Sequence, residues 1–91
     1  MVSLKIENKP SEKKLKDLEV STWPIWAKDP CEFLREYEMP ETCFYFEGEA
    51  QLIPEGGDPM EIVSGTLISF PAQFKCQWII KKTLKMRYLL G

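Results

Sequence analysis

Two short blocks of residues with fixed spacings constrain this chain more than any other feature. Six residues separate Glu41 from Gly48, and five separate Gly65 from Pro71. Both intervals are filled with residue types that favour strands. A glycine inside such a run favours a bulge or a sharp bend, and a proline directly after one favours its end. The two blocks therefore predict a bent strand and a terminated strand within one β-structure.

Short strands separated by turn residues are predicted along most of the chain. Ser11 is a predicted N-cap for one short helix over residues 12–18. Eight or nine strands with one small helix at the front indicate an all-β sandwich or barrel. We interpret the chain as one domain, with a strand and the short helix over residues 1–19 and the barrel over 20–91. The predicted strands include residues 2–7, 20–26, 33–37, 42–53, 60–63, 66–70, 75–80 and 85–90.

Composition limits the classes of function. The net charge is −2, whereas a nucleic-acid-binding surface needs a concentration of basic residues. No stretch approaches the ~20 apolar residues that a membrane span needs, and the N-terminus lacks the apolar core of a secretory signal. The three cysteines form no C-x-x-C pair, which favours reduced thiols. We therefore expect a cytoplasmic protein, with an organelle interior as the alternative, and neither a nucleic-acid nor a membrane partner.

The order and spacing of these motifs resemble those of the cupin family of RmlC-like jelly-roll barrels. More narrowly, they resemble the short single-domain cupins related to the cupin domain of (S)-ureidoglycine aminohydrolase. The resemblance covers residues 20 to the end and implies a cupin-type jelly-roll β-barrel or sandwich with one short N-terminal helix. It is carried by Trp23-Pro24-Ile25-Trp26, the blocks 41–49, 54–57 and 65–72, Cys76-Gln77-Trp78, and Arg87-Tyr88.

The histidines that hold a metal ion in that family are missing from this chain, which contains no histidine. The family's H-x-H pair corresponds here to Arg35-Glu36-Tyr37, and its third histidine corresponds to Cys76. Glu41 is the one expected ligand that is retained. A first-row metal takes three or four donors, so a single carboxylate is too few. We therefore expect no bound metal or other cofactor.

Side-chain alternation predicts which residues line the barrel interior. Residues of equal parity along a strand share a face, so those in phase with Glu41 face the interior with it. The resemblance adds positions from the second block and from the C-terminal end. Aromatic walls with one carboxylate and a guanidinium suit a small, partly planar, polar molecule. The predicted ligand pocket comprises Arg35, Tyr37, Glu41, Cys43, Tyr45, Cys76, Trp78 and Arg87.

Each candidate residue also has a structural interpretation. Glu41 could form an internal ion pair with Arg35 or Arg87, orient a ligand, or bind a metal. Glu41 and Cys76 are weak catalytic candidates, because a nucleophilic thiol needs a nearby cation or base that lowers its pKa. We interpret Cys76 first as a small buried apolar residue, with a reactive or redox-sensing thiol as the alternative. With Cys43 and Glu41 it could also form a soft zinc site.

Three functions remain open at the level of sequence. The first is metal-independent binding of a small polar molecule, of unknown identity, in the barrel cavity. The second is an enzyme of the ureidoglycine aminohydrolase type, although the chemistry of those relatives depends on a metal. The third is an interaction module, such as a homodimer formed by pairing of exposed strand edges. Whether the chain is an enzyme is left undecided.

Overall fold

Two long strands organise the chain. The computed structural model describes residues 4–90. One short helix precedes most of the strands, as predicted. The elements in chain order are β1 (Lys5–Asn8), α1 (Glu12–Asp17), a 3₁₀ turn (Val20–Thr22), β2 (Ile25–Lys28), β3 (Cys31–Tyr37), β4 (Glu41–Pro54), β5 (Met60–Val63), β6 (Thr66–Phe70) and β7 (Phe74–Leu90).

The long strands β4 and β7 form the centre of the sheet. They pair antiparallel along nearly their whole length, from Glu41 opposite Leu90 to Pro54 opposite Cys76. On the other side of β4 lie β6 and β5, and β1 pairs with β6. On the other side of β7 lie β2 and β3. All seven described strands therefore belong to one antiparallel network, which confirms the predicted all-β jelly roll.

A bend in the middle of β4 allows the two long strands, β4 and β7, to form part of both halves of the barrel. The register between β4 and β7 shifts repeatedly between Tyr45 and Ala50. Gly48 lies at the centre of this irregularity with φ +104°, a conformation open mainly to glycine. A Cβ at this position would lie 2.3 Å from the carbonyl oxygen of Thr83 on β7. The bulge predicted at Gly48 is confirmed, and close contact between backbones adds a second reason for the glycine.

The N-terminal helix forms where the sequence predicts it. The segment that follows the helix differs from its predicted structure. The side chain of Ser11 accepts a hydrogen bond from the backbone N–H of Lys14 at 3.1 Å, which caps α1. The strand predicted over residues 20–26 was wrong in its first half. Residues 20–22 form a 3₁₀ turn, in which the hydroxyl of Thr22 donates to a backbone carbonyl. Residues 2 and 3 of the first predicted strand lie outside the described residues.

The number of described strands is seven, not eight or nine, because two predicted strands are one. The segments 75–80 and 85–90 are both parts of β7, which continues through the charged residues between them. These charged residues remain in the strand because β4 pairs with β7 on both sides of the bend. Their side chains are exposed to solvent. The ammonium of Lys81, for example, lies 3.4 Å from the carboxylate of Glu61.

Buried side chains fill two separate regions. The main core lies inside the barrel and is rich in aromatic rings. A smaller cluster lies on the outer face, where it attaches the helix and the 3₁₀ turn to the sheet. The smaller cluster consists of Val20, Trp23 and Leu67, with Leu15 and Phe44 packed against it.

No helix among the described residues is long and apolar enough to cross a membrane.

The bend generates a prediction about stability. We expect Gly48→Ala to lower the free energy of unfolding by about 3 kcal/mol or more, because backbone strain and a clash with a backbone atom add together. Gly56→Ala is the matched control: Gly56 also has positive φ, but no atom lies within 4 Å of the added Cβ. Its expected cost is about 1–2 kcal/mol. Urea denaturation of both variants tests the difference, and equal losses would contradict the proposed close contact.

Candidate functional site

An ion pair crosses the barrel interior. The Nη2 of Arg35 on β3 lies 3.1 Å from the Oε1 of Glu41 on β4, two strands that do not pair with each other. The Glu41 side chain is 4% exposed, whereas that of Arg35 is 32% exposed. Of the two arginines that the sequence left open as partners of Glu41, the structure selects Arg35. The pair therefore joins a buried carboxylate to a guanidinium that reaches solvent.

A line of polar groups continues from Glu41 into the interior. The thiol of Cys43 donates a hydrogen bond to the Oε2 of Glu41 at 3.1 Å. Tyr45 follows on the same face of β4, and its hydroxyl is buried with no hydrogen-bond partner among the described residues. The Cys43 thiol lies beside this hydroxyl, but sulfur is a weak acceptor. Alternate positions of β4 thus carry one polar network inward from Arg35.

The thiol of Cys43 and the hydroxyls of Tyr45 and Tyr37 keep their protons at neutral pH. Burial, and then the charge of Glu41, raise the pKa of the Cys43 thiol well above its ordinary value. Burial likewise raises the pKa of Tyr45 far above its ordinary value. Burial also raises the pKa of Tyr37, although Arg35 acts in the opposite direction. Each of these groups is therefore a neutral hydrogen-bond donor rather than an anion.

Aromatic contacts hold the guanidinium in place. The Cζ of Arg35 lies 4.3 Å from the centre of the Tyr37 ring, a cation–π geometry. Tyr37 in turn stacks on Phe70, with ring centres 4.1 Å apart and planes 6° apart. The indole N–H of Trp78 donates to the hydroxyl of Tyr37 at 3.1 Å. A packed aromatic wall therefore limits how far Arg35 can move.

The barrel interior is closed rather than open. The space that remains beside Arg35 and Tyr45 has a volume of about 10 Å³, roughly that of one water molecule. The interior cavity for a small polar molecule that the sequence predicts is not found in the described part of the chain, because large side chains stand at the inward positions. We call this space the chamber; its lining includes Trp26, Phe33, Arg35, Tyr37, Tyr45 and Trp78.

A larger open space lies next to Arg35 on the protein surface. This groove has a volume of about 570 Å³, within the range of about 300–1,000 Å³ that ligand pockets occupy. The sequence did not predict it, since it depends on where the loop after β4 lies relative to β3 and β7. The turn residues Pro54–Gly57 were the one signal available. The groove is lined by Leu34, Arg35, Glu36, Lys75, Cys76 and Gln77, together with residues 53–57.

The structure places Arg87 away from the other predicted pocket residues. Its Nη1 donates to the backbone carbonyls of Ser21 and Trp23, at 3.2 and 2.9 Å. Its Cζ lies 5.9 Å from the centre of the Phe46 ring. The assignment of Arg87 to the pocket was wrong, because its neighbour Met86 occupies the inward position of β7 and alternation turns Arg87 outward.

Cys76 is buried and pairs across the sheet with Arg35. Burial raises the pKa of the Cys76 thiol to about 11, although the charge of Arg35 acts to lower it. All three cysteines are free of disulfides. A thiol that is protonated at neutral pH is a poor nucleophile, so the site lacks the activation that thiol catalysis needs.

The donor set at this position does not fit a metal ion. One oxygen of Glu41 accepts from Arg35, and the other accepts from the thiol of Cys43. Within residues 4–90, no three histidine, cysteine or acidic side chains lie close enough to hold a metal together. The described residues do not assemble the alternative zinc site of Glu41, Cys43 and Cys76, and both oxygens of Glu41 are already hydrogen-bonded.

The ion pair generates a prediction about stability. We expect Arg35→Met to lower the free energy of unfolding by about 3–5 kcal/mol, because it leaves the carboxylate of Glu41 buried without its cation. The double variant Arg35→Met/Glu41→Met removes both charges, and we expect it to recover most of that loss. Chemical denaturation of the wild type, Arg35→Met, Glu41→Met and the double variant forms a double-mutant cycle. Additive losses in the double variant would show that the pair is not coupled.

The raised thiol pKa generates a prediction about pH. An unfolded thiol loses its proton near pH 8.5, whereas folded Cys76 keeps its proton up to about pH 11. The contribution of Cys76 to stability is therefore present below about pH 8.5 and is lost as the pH rises towards 11. We expect Cys76→Ser to be modestly less stable at pH 7 but to lose stability less steeply between pH 8 and 10.

Urea denaturation at several pH values measures these slopes for the wild type and Cys76→Ser. The other buried groups with raised pKa act in the same direction in both proteins and cancel in the comparison. Identical slopes would show that the Cys76 thiol titrates alike in the folded and unfolded chains.

A sequence comparison finds one family that spans most of the chain. The model of the EutQ-like cupin domain family matches residues 15–88. No curated protein sequence matches the chain.

Solved structures with the same fold are found in several bacteria. A DUF861 family protein from Thermotoga maritima has a TM-score of 0.92 and 38% sequence identity, covering 98% of this chain and 100% of that one. The EutQ protein of Clostridium difficile has a TM-score of 0.65 and 17% identity, covering 96% of this chain and 66% of that one. A DUF861 family protein of unknown function from Pseudomonas syringae has a TM-score of 0.66 and 20% identity, covering 74% and 29%. The last two likenesses concern the fold alone.

Proposed function

This chain belongs to the EutQ-like cupin domain family, and we propose that it binds a small, uncharged, partly planar polar molecule without a metal ion. The observation that carries the proposal is the position of Arg35. It is the one residue that lines both the closed chamber and the open groove. The side chain of Arg35 is 32% exposed, so a ligand at the protein surface can reach its charged hydrogen-bond donors.

Arg35 has donors left for a ligand. A guanidinium carries five N–H groups in a fixed plane, and the described residues engage this one in a single hydrogen bond, to Glu41. The ring of Tyr37 holds the plane of the guanidinium from one side. Because the group is already oriented, a ligand that binds it loses little conformational entropy from the protein.

The charge of the site favours an uncharged ligand. Glu41 lies 3.1 Å from Arg35, so the pair is close to neutral as a unit. A carboxylate that approached Arg35 would also approach Glu41, and the repulsion would offset much of the attraction. An amide, urea or hydroxyl group accepts a hydrogen bond from Arg35 without that repulsion.

The groove supplies the space that the interior lacks. The chamber accommodates about one small atom group, whereas the groove has the volume of an ordinary ligand pocket. The side chains of Glu36, Lys75 and Gln77 add polar partners around an apolar floor. We therefore place the body of the ligand in the groove rather than within the barrel.

A catalytic role has less support than binding. The resemblance of this chain to the cupin domain of (S)-ureidoglycine aminohydrolase is the reason to include ureides among the compounds tested. The pKa of Cys76 is raised rather than lowered, and the carboxylate of Glu41 is occupied by its partners. Neither residue is prepared to act as a nucleophile or base at neutral pH.

A thermal-shift screen with ureides, keto acids and sugars tests the proposal. A ligand present at a hundred times its Kd stabilises the folded protein by about 2.7 kcal/mol, which raises the melting temperature measurably. We expect at least one uncharged ureide or amide to do so in the wild type. We expect Arg35→Lys to lose that shift, since lysine keeps the charge beside Glu41 but lacks the planar set of donors.

Arg87→Lys is the matched control for this experiment. It makes the same chemical change at an arginine that lies outside the groove and the chamber. We expect Arg87→Lys to keep the full ligand-induced shift. A ligand whose effect survives Arg35→Lys, or a screen in which no compound raises the melting temperature, would refute the proposed function.

A further inference from the structure

We propose that a second binding site lies on the outer face of the barrel and takes a small carboxylate with an apolar body. The site is the space between the N-terminal helix and the two long strands, which we call the outer pocket. It does not depend on the proposed function, because Arg35 meets Glu41 inside the barrel and the outer pocket lies on the other side of β4. Its lining includes Leu15, Lys16, Val20, Phe44, Phe46 and Arg87.

Strand alternation and the N-terminal segment together form the outer pocket. Phe44 and Phe46 take the outward positions of β4, and Arg87 stands opposite Phe44 in the register of β4 and β7. Leu15 on α1 and Val20 on the 3₁₀ turn join Phe44 in the smaller apolar cluster. The space that remains is about 320 Å³, at the lower end of the range of about 300–1,000 Å³ that ligand pockets occupy.

The charge of the outer pocket favours an anion. The chain has a net charge of −2, yet the two charged side chains in the lining, Lys16 and Arg87, are both cations. Neither forms an ion pair with a carboxylate among residues 4–90. Glu47, the next acidic residue along β4, is engaged by Lys85 at 3.3 Å. Two unpaired cations above an apolar floor suit a ligand with a negative group on an apolar body.

Half of the Arg87 guanidinium is available to such a ligand. Both of its hydrogen bonds, to the backbone carbonyls of Ser21 and Trp23, are donated by Nη1. The N–H groups of Nη2 and Nε have no partner among the described residues, and a carboxylate can bridge them with two parallel hydrogen bonds. Because Nη1 and the ring of Phe46 already hold the group, a ligand does not need to order it.

A purely structural role for Arg87 leaves part of this arrangement unexplained. The bonds from Nη1 attach the 3₁₀ turn to β7, but they require neither the free half of the guanidinium nor a second cation at Lys16. An uncharged amide, the ligand class proposed for Arg35, gains little from two cations. The two sites therefore prefer different ligands.

Phenylacetate and phenylacetamide form a matched pair of probes for the outer pocket. They carry the same ring on the same carbon and have nearly the same shape, but only phenylacetate is an anion at neutral pH. Titrations followed by ¹⁵N–¹H NMR give the Kd from the backbone signals of Lys16, Ser21 and Phe46, so that binding near Arg35 is measured separately. We expect phenylacetate to bind at least tenfold more tightly than phenylacetamide at these signals.

Lys16→Glu carries the decisive comparison, and Lys13→Glu is its matched control. Lys13 is exposed on the same helix but does not line the outer pocket, so the control makes the same change of net charge outside the site. We expect Lys16→Glu to weaken phenylacetate binding at least fivefold and Lys13→Glu to leave it within twofold. Both lysines are exposed and unpaired among the described residues, so we expect both variants to melt like the wild type.

Arg87→Gln tests the other cation. We expect it to weaken phenylacetate binding at least tenfold, because it removes the charge and the bidentate donors together. It also removes the bonds that attach the 3₁₀ turn, so Lys16→Glu, which leaves those bonds intact, remains the deciding variant if Arg87→Gln does not fold.

Three results would overturn the proposal. They are equal affinity of the two probes or no binding of phenylacetate at the signals of the outer pocket, a loss of less than fivefold in Lys16→Glu, and an equal loss in Lys13→Glu. None of them bears on the ligand proposed for Arg35, whose test is the loss of a ligand-induced shift in Arg35→Lys.

Discussion

The buried carboxylate of Glu41 is the constraint on which the site depends. An ionised carboxylate that is 4% exposed is tolerated only with a close cation and hydrogen-bond donors. Arg35 supplies the charge from a strand that does not pair with β4, so satisfying Glu41 also links two parts of the barrel. The ring of Tyr37 then fixes the guanidinium, and Cys43 takes the second carboxylate oxygen. One electrostatic requirement thereby orders a hydrogen-bond donor that remains partly exposed to solvent.

This arrangement changes what a cupin barrel can do chemically. A guanidinium bonded to a carboxylate supplies directional hydrogen bonds, but it offers no open coordination position and activates no water. The buried thiols keep their protons, and the interior is filled by aromatic side chains. Recognition of a polar molecule is therefore better supported than catalysis. The fold itself does not decide between them, because jelly-roll barrels carry many unrelated functions.

Sequence reasoning succeeded where the structure depends on neighbouring residues. The alternation that places Glu41, Cys43 and Tyr45 on one face follows from the geometry of a single strand. It failed for Arg87, which was assigned by resemblance rather than by parity and lies on the outer face. It also divided β7 into two strands, because a charged stretch in the middle of a long strand has the same composition as a turn.

The sequence by itself determined several local features: the capped helix, the glycine at the bend, the turn at 54–57, and the shared face of Glu41, Cys43 and Tyr45. Only the tertiary structure decided that Arg35 rather than Arg87 meets Glu41, that the interior closes to about 10 Å³, and that a groove forms beside it. The physical reason is the separation along the chain of the residues that interact. Caps, turns and alternation act between residues close in the chain, whereas cavities and ion pairs across the barrel depend on how β4 and β7 bend and on where other strands meet them.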